Sequence, residues 1–303
     1  MRLQSGLTSQ IWNAVRELNP GRPVEESLKP CVFSIVGSSQ NEIDLMQDFL
    51  CRKSSTNREM PPAASVISEY MLPVVDAQLN QLRRSDIILL FAGTPEPRVD
   101  LPGGVFCFDP AKPEDAVKNI IESRYGMELR LTLARHVPAF RLEVARRVLR
   151  DVSMENAVFV LTTALGSVIP SVLLPLVGIA EAASDTVVLT ANQVRMLFIL
   201  GAIHGAEVGY KSQWKEITSI IGAAFGWRAL ARELVSKIPF GGGLVPKGAI
   251  AYAGTTAVGE GLIFYYTTGR HMTKSEVRQA FKDSYSRAQE NAQALAARIK
   301  PKT

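Results

Sequence analysis

The chain has 303 residues, 47% of them hydrophobic, and a formal net charge of +5. That length leaves room for two domains and a sizeable core, and that composition is ordinary for a globular protein, so composition alone does not call for a membrane span. The positive balance is modest and suits an anionic membrane surface at least as well as nucleic acid. No basic patch interleaved with aromatics is present, which argues against single-stranded nucleic acid as a partner. Cys31, Cys51 and Cys107 are odd in number, widely spaced and set among apolar residues. They read as reduced, buried thiols. The first thirty residues hold no apolar leader, so secretion is not expected.

Residues 1–29 are polar apart from Ile11, Val15 and Leu18, which share one helical face and are stopped by Asn19-Pro20-Gly21. A short docking helix followed by a linker is expected. From Cys31 the character changes. CVFSIVG reads as a buried strand ending in glycine, and SSQNEIDLMQDFL as an amphipathic helix with Ile43, Met46, Phe49 and Leu50 inward. A second strand is expected at Asp86–Ala92 (DIILLFA), a third at Val105–Phe108, and a closing helix at Pro113–Ser123. Between Arg52 and Arg84 prolines interrupt, although Val66-Ile67 and Pro73–Leu82 can supply a short strand and a helix. Alternating strands and helices open a parallel α/β fold over residues 30–125.

The order of these elements, with SDIILLFAG in the place of a third core strand, resembles a small GTPase-like P-loop domain. The functional motif departs from that family. A P-loop needs G-x-x-x-x-G-K-[ST], because backbone amides cradle phosphate, the lysine neutralises it and the hydroxyl holds Mg²⁺. Counted from Gly37, the last three positions hold Glu42, Ile43 and Asp44. Two carboxylates in a first helical turn suit the helix dipole but repel a triphosphate. The guanine-reading N-K-x-D is replaced by Phe108-Asp109-Pro110-Ala111, and if Asp76 replaces the aspartate of D-x-x-G, Leu79 stands where its glycine belongs. The resemblance thus implies a degenerate domain in which Gly37, Ser38 and Ser39 occupy the phosphate-binding position. No cofactor and no metal are expected; GTP is the one nucleotide the resemblance brings into question, and the departures from the motif disfavour it. An unrelated small α/β domain is the alternative.

Residues 126–303 read as helical. Pro138–Arg150 places Phe140, Val144 and Val148 on one face and Arg141, Arg146, Arg147 and Arg150 largely elsewhere, as a solvated helix face does. It precedes Asn156–Ala180, twenty-five residues without a charge between Glu155 and Glu181. A bilayer takes about 20 apolar residues in a helix, and the preceding arginines fit the cytoplasmic side of such a segment. Pro170 and Pro175 divide the run, and Gly166 and Gly178 loosen it. A bent apolar hairpin is expected, surrounded by lipid or by protein.

Asp185–Tyr210 is expected as one helix capped by Asp185, with Gly201, Gly205 and Gly209 forming a groove for another backbone. Gly222 and Gly226 repeat the device, and Ala249, Ala253, Ala257 and Gly261 do so again. Close-packed helices follow from this, in lipid or out of it. Thr190-Ala-Asn-Gln193 leading to Met196, then Gly205, Lys237-Ile-Pro239 to Gly243, Ala251-Tyr-Ala-Gly-Thr255 to Gly259, and Gly269 make residues 155–290 resemble the YcjF-like family, GTPase-associated helical domains of bacteria. The resemblance implies an all-α, membrane-associated domain after a GTPase-like one, at the cytoplasmic side of the inner membrane, and no reaction.

Other features have structural readings. Gly241–Gly248 misses a P-loop at Pro246 and Gly248, lacks a preceding strand, and reads as a turn between helices. His136, His204 and His271 lack metal spacing, and His204 reads as packed or pore-facing. Asp185, Arg195, Glu207 and Glu260, ionisable in apolar surroundings, are expected to pair or to line a polar cavity. Thr273-Lys-Ser-Glu276 is a capping box, opening a helix whose apolar face is Val277, Phe281, Tyr285, Ala288, Ala292, Leu295 and Ile299. Together these features predict a non-enzymatic scaffold or regulatory protein at a bacterial membrane, working with a protein partner or a second copy of itself. A GTP-binding switch and a soluble helical interaction module are the alternatives.

Overall fold

The computed structural model describes residues 2–51, 66–95, 103–164, 184–223 and 244–299. It is mostly helical with one small parallel sheet, and the chain divides into two compact units. One comprises Gly21–Arg146 with Gly201–Ala206; the other comprises Met1–Pro20, Arg147–Leu200 and Glu207–Thr303.

The first unit carries four parallel strands, β1 (Phe33–Gly37), β2 (Ile67–Met71), β3 (Ile87–Phe91) and β4 (Gly104–Phe108), in the order β2-β1-β3-β4. All five residues of β1 are buried, as are the first four of β3, whereas β2 and β4 bury only part of their length. This is the pattern of central and edge strands in a parallel sheet covered on both faces. Phe33 pairs with Ile67 on one side and Ile87 on the other. One polar pair interrupts this core: the Ser34 and Ser85 hydroxyls meet at 2.7 Å, so neither is buried unsatisfied. Val36, Tyr70, Leu82, Ile88 and Leu90 form one core cluster.

Helix α3 (Gln40–Cys51) buries the expected Ile43, Met46 and Leu50, and half-buried Phe49 lies 5.5 Å from Phe108. The short α4 (Asp76–Leu82) precedes β3, and α5 (Pro113–Glu122) and α6 (Arg124–His136) follow β4. Residues 21–27 are not part of a linker. They form a helix, α2 (Gly21–Ser27), which packs on α6, where Thr132 Oγ1 donates to the Glu26 carbonyl at 3.1 Å.

Helix α7 (Pro138–Ala164) contributes to both units and corrects the solvated-face reading of its arginines. Arg146 and Arg150 are exposed, but Arg141 is only 7% exposed. Its Nε and Nη2 donate to the Ala134 and Arg135 carbonyls at 3.1 and 3.2 Å, at the end of α6. Arg135 Nη1 donates in turn to the Ala202 carbonyl at 2.7 Å, in the last turn of α8 (Asp185–Ile203). Each guanidinium satisfies carbonyls that a helix C-terminus leaves open, where the dipole favours a cation. Burial lowers the pKa of both arginines.

The second unit contains α1 (Arg2–Arg16), the remainder of α7, most of α8, a helical stretch at residues 214–223 (α9), α10 (Leu244–Thr268) and α11 (Lys274–Ile299). Ile11, Val15 and Leu18 are buried as expected, and Tyr210 donates to the Val15 carbonyl at 2.9 Å. On α10, Ala249, Ala253 and Ala257 lie against Ala280, Phe281 and Ala288 of α11, with Tyr252 and Tyr285 beside them. Small residues four apart let these two helices approach closely. The capping box of α11 is formed: Glu276 N–H donates to Thr273 Oγ1 at 3.3 Å, and Thr273 N–H donates to Glu276 Oε2 at 2.7 Å.

The glycine stripe is different. The helix stops at Ile203, and Gly205 at φ +66° takes the left-handed conformation that ends helices. Gly201 remains in the last turn, whereas Gly209 lies in a turn whose N–H donates to Gln213 Oε1 at 3.2 Å. The three glycines therefore do not share one helical groove. Asp185 is the first residue of α8 rather than its cap, and its carboxylate accepts from Thr163 Oγ1 at 3.2 Å.

Candidate functional site

In an open α/β sheet, ligands bind beyond the carboxyl ends of the strands, where the chain's path across the sheet reverses. Here that point lies between β1 and β3, because the chain passes from β1 outward to β2 and then back to β3 and on to β4. Gly37 ends β1, Ser38 and Ser39 follow it, and Thr94 lies just beyond β3. The structure thus brings Gly37, Ser38 and Ser39 to the carboxyl-terminal edge of the sheet, beside Thr94.

That edge is occupied by a side chain of the protein itself. Glu42, in the first turn of α3, accepts the Ser38 N–H on Oε2 at 2.6 Å and the Thr94 hydroxyl at 3.4 Å. Ser38 Oγ donates to Thr94 Oγ1 at 3.4 Å, so the hydroxyls lead to the carboxylate. Ser39 Oγ accepts the Glu42 N–H at 3.4 Å, as an N-cap does. A Cβ on Gly37 would stand 3.1 Å from both Glu42 Cβ and Ile43 Cγ1, so glycine admits the first turn of α3 close to the strand end. Asp44 accepts from Gln40 Nε2 at 2.9 Å, and Asp109, beyond β4, accepts the Ala111 N–H at 2.8 Å. The Ser38 amide available to an anion already holds the Glu42 carboxylate. Among the described residues no group of three His, Cys, Asp or Glu side chains is placed to hold a metal.

The helical unit has a second polar assembly, which reasoning from the sequence missed. Asn192 Nδ2 donates to Asn156 Oδ1 at 2.8 Å, and Asn156 Nδ2 donates to Thr255 Oγ1 at 2.8 Å. Gln193 Nε2 reaches the same Thr255 oxygen at 3.3 Å, and Ser153 and Thr256 share a hydrogen bond of 3.1 Å. All six side chains are buried, on α7, α8 and α10. Beside them Arg195 pairs with Glu155. A partner for Arg195 is expected from the sequence, but Glu155 stands out there only as the border of the uncharged run. The available signal was amide and hydroxyl side chains in otherwise apolar helices, which must find partners when buried.

Other expectations resolve locally. Residues 156–164 of the uncharged run continue α7, so the basic segment and the start of the run are one helix; Pro170 and Pro175 lie outside the described residues. Pro246 to Gly248 belong to the start of α10 rather than to a turn, and a Cβ on Gly248 would stand 2.9 Å from Leu161. The cysteines are not buried: Cys31 and Cys51 are half-buried and Cys107 is exposed, on the edge strand β4. The partial burial of Cys31, assisted by the charge of Asp86, pushes its thiol up to about 12. His204 is buried, whereas exposed His271 stacks on Tyr265 at 4.4 Å. Among the described residues one helix, α8, is long and apolar enough to cross a membrane.

No family model, curated protein or solved structure matches this chain.

Proposed function

We propose that the chain is a membrane-associated scaffold or regulatory protein, with a degenerate, non-hydrolysing GTPase-like α/β unit and a YcjF-like helical unit. In this reading the helical unit attaches the protein to the cytoplasmic face of a bacterial inner membrane, and a protein partner or a second copy receives its output. The observation that carries the reading is the Glu42 carboxylate on the Ser38 amide, 2.6 Å apart. A phosphate would have to displace an anion held there by its own helix. Titration of the purified protein with GTP and Mg²⁺ is expected to give neither binding nor turnover. Magnesium-dependent turnover abolished by substitutions around Gly37 would overturn the reading in favour of a GTPase switch.

A second reading, a soluble helical interaction module, is favoured by α8, whose most apolar stretch is 78% buried, as in a core helix. Fractionation separates the two. Retention of the full chain in carbonate-washed membranes supports attachment, and release by carbonate or salt without detergent supports the soluble module.

A further inference from the structure

We infer that the helical unit has a second membrane contact, an aromatic and basic patch around Trp12 and Trp214 that seats on an anionic lipid surface. The two indoles stack with centroids 4.8 Å apart and planes inclined by 17°, yet Trp214 remains 52% exposed. Indoles half in water and half on an apolar body suit the headgroup zone of a bilayer.

The patch is held in place by named contacts. Tyr210 fixes the end of α1, and Gln213 Nε2 donates to the Tyr266 hydroxyl at 2.7 Å. Between them the chain exposes Lys211, and Lys215 follows Trp214. His271 and Met272 line one cavity together with Glu216 and Ser219, bringing the start of α11 beside α9. From there Lys274, Arg278 and Lys282 are exposed at intervals of four, one row along a helix. Against these five cations stand Glu207, Glu216 and Asp283; Glu276 is engaged by Arg270 at 3.0 Å. Lys211 and Lys215 flank the exposed indole along the chain, and the α11 row adds positive charge on the same unit, which suits an anionic bilayer rather than a neutral one.

This inference rests on the membrane reading but uses different residues from the uncharged run, so the two fail separately. The test is co-sedimentation of the full chain with phosphatidylcholine vesicles, with and without phosphatidylserine. Binding is expected only with the anionic lipid, to weaken with salt, and to shift indole emission to the blue. Lys211→Gln with Lys215→Gln should weaken it about twenty-five-fold, fivefold for each cation lost at the surface. Trp214→Ser should weaken binding and reduce the emission shift to what Trp12 alone gives, and circular dichroism checks that each variant is folded. Equal binding to neutral vesicles, or binding indifferent to both variants, overturns the inference. Concentration-dependent dimerisation lost in Trp214→Ser, without vesicle binding, assigns the patch to a second copy and overturns it as well. A chain retained in carbonate-washed membranes whose vesicle binding ignores these residues keeps the membrane reading and loses this patch.

Discussion

Glu42 reaches back over one helical turn to Ser38 and receives its amide proton at 2.6 Å, a charge-assisted hydrogen bond at the start of α3. Replacing Glu42 by Ala should destabilise the α/β unit by about 1.5–3 kcal/mol, the range for a hydrogen bond to a charged group. Glu42→Gln keeps an acceptor and should cost less. Urea unfolding of both variants checks the order.

Two glycines with opposite surroundings give opposite expectations. A Cβ on Gly126 would stand 1.9 Å from the Ile120 carbonyl oxygen and 2.8 Å from the Ile121 Cα, backbone that cannot turn aside. Gly126→Ala should cost about 3 kcal/mol or more, at the upper end for overpacking. Gly261 lies within α10, and a methyl group there would meet nothing within 4 Å. Gly261→Ala should raise stability by up to about 1 kcal/mol through helix propensity. Thermal melts of the pair are the measurement.

Thr255 accepts from Asn156 and Gln193 through one oxygen. Thr255→Val keeps the shape and removes an acceptor from both amides, Asn156 Nδ2 keeping the Leu189 carbonyl at 3.4 Å, at about 1–3 kcal/mol for each buried N–H left unpaired. Thr255→Ser restores the acceptor and should recover most of the loss. Denaturant midpoints that do not separate Val from Ser would contradict this account of the network.

Two groups make stability fall on acidification. Burial, then the charges of Arg135 and Arg141, lower the His136 pKa, against a smaller opposing effect of a backbone hydrogen bond with Ser27. The unfolded chain therefore takes up that proton first, and stability falls as pH drops below about 6.5 towards the lower folded value. The hydrogen bond from Arg270, then those from the Thr273 backbone and side chain, holds the Glu276 carboxyl down to about 2 from 4.5. Its contribution is present above 4.5 and is lost as pH falls towards 2. His136→Gln and Glu276→Gln should each flatten the pH dependence of the melting temperature in their own window.

The sheet was legible because β1 and β3 are continuous apolar runs, and no other element type hides so many consecutive side chains in so few residues. The α11 start was legible because its cap is written within four residues. What was not legible depends on distant partners. Arg141 looks like any arginine on an amphipathic helix until the end of α6 presents two carbonyls to it. Gly205 fits an i, i+4 stripe and a helix stop equally well, and only the backbone angle decides. That Gly37, Ser38 and Ser39 close the first strand could be read from the sequence, but that Glu42 folds back onto Ser38 depends on how closely α3 approaches Gly37. The Asn156, Asn192 and Thr255 ladder joins three segments far apart in sequence, which no local pattern encodes.

The helical unit is interrupted twice by residues of the α/β unit, and its first helix is tied by Tyr210 to Val15, 195 positions earlier. On a ribosome adding roughly 5–20 residues per second, α1 waits about 10–40 s for that hydroxyl to be made. The α/β unit, apart from Gly201–Ala206, has by then emerged. The residues of α1 are thus made well before the partner that ties them down.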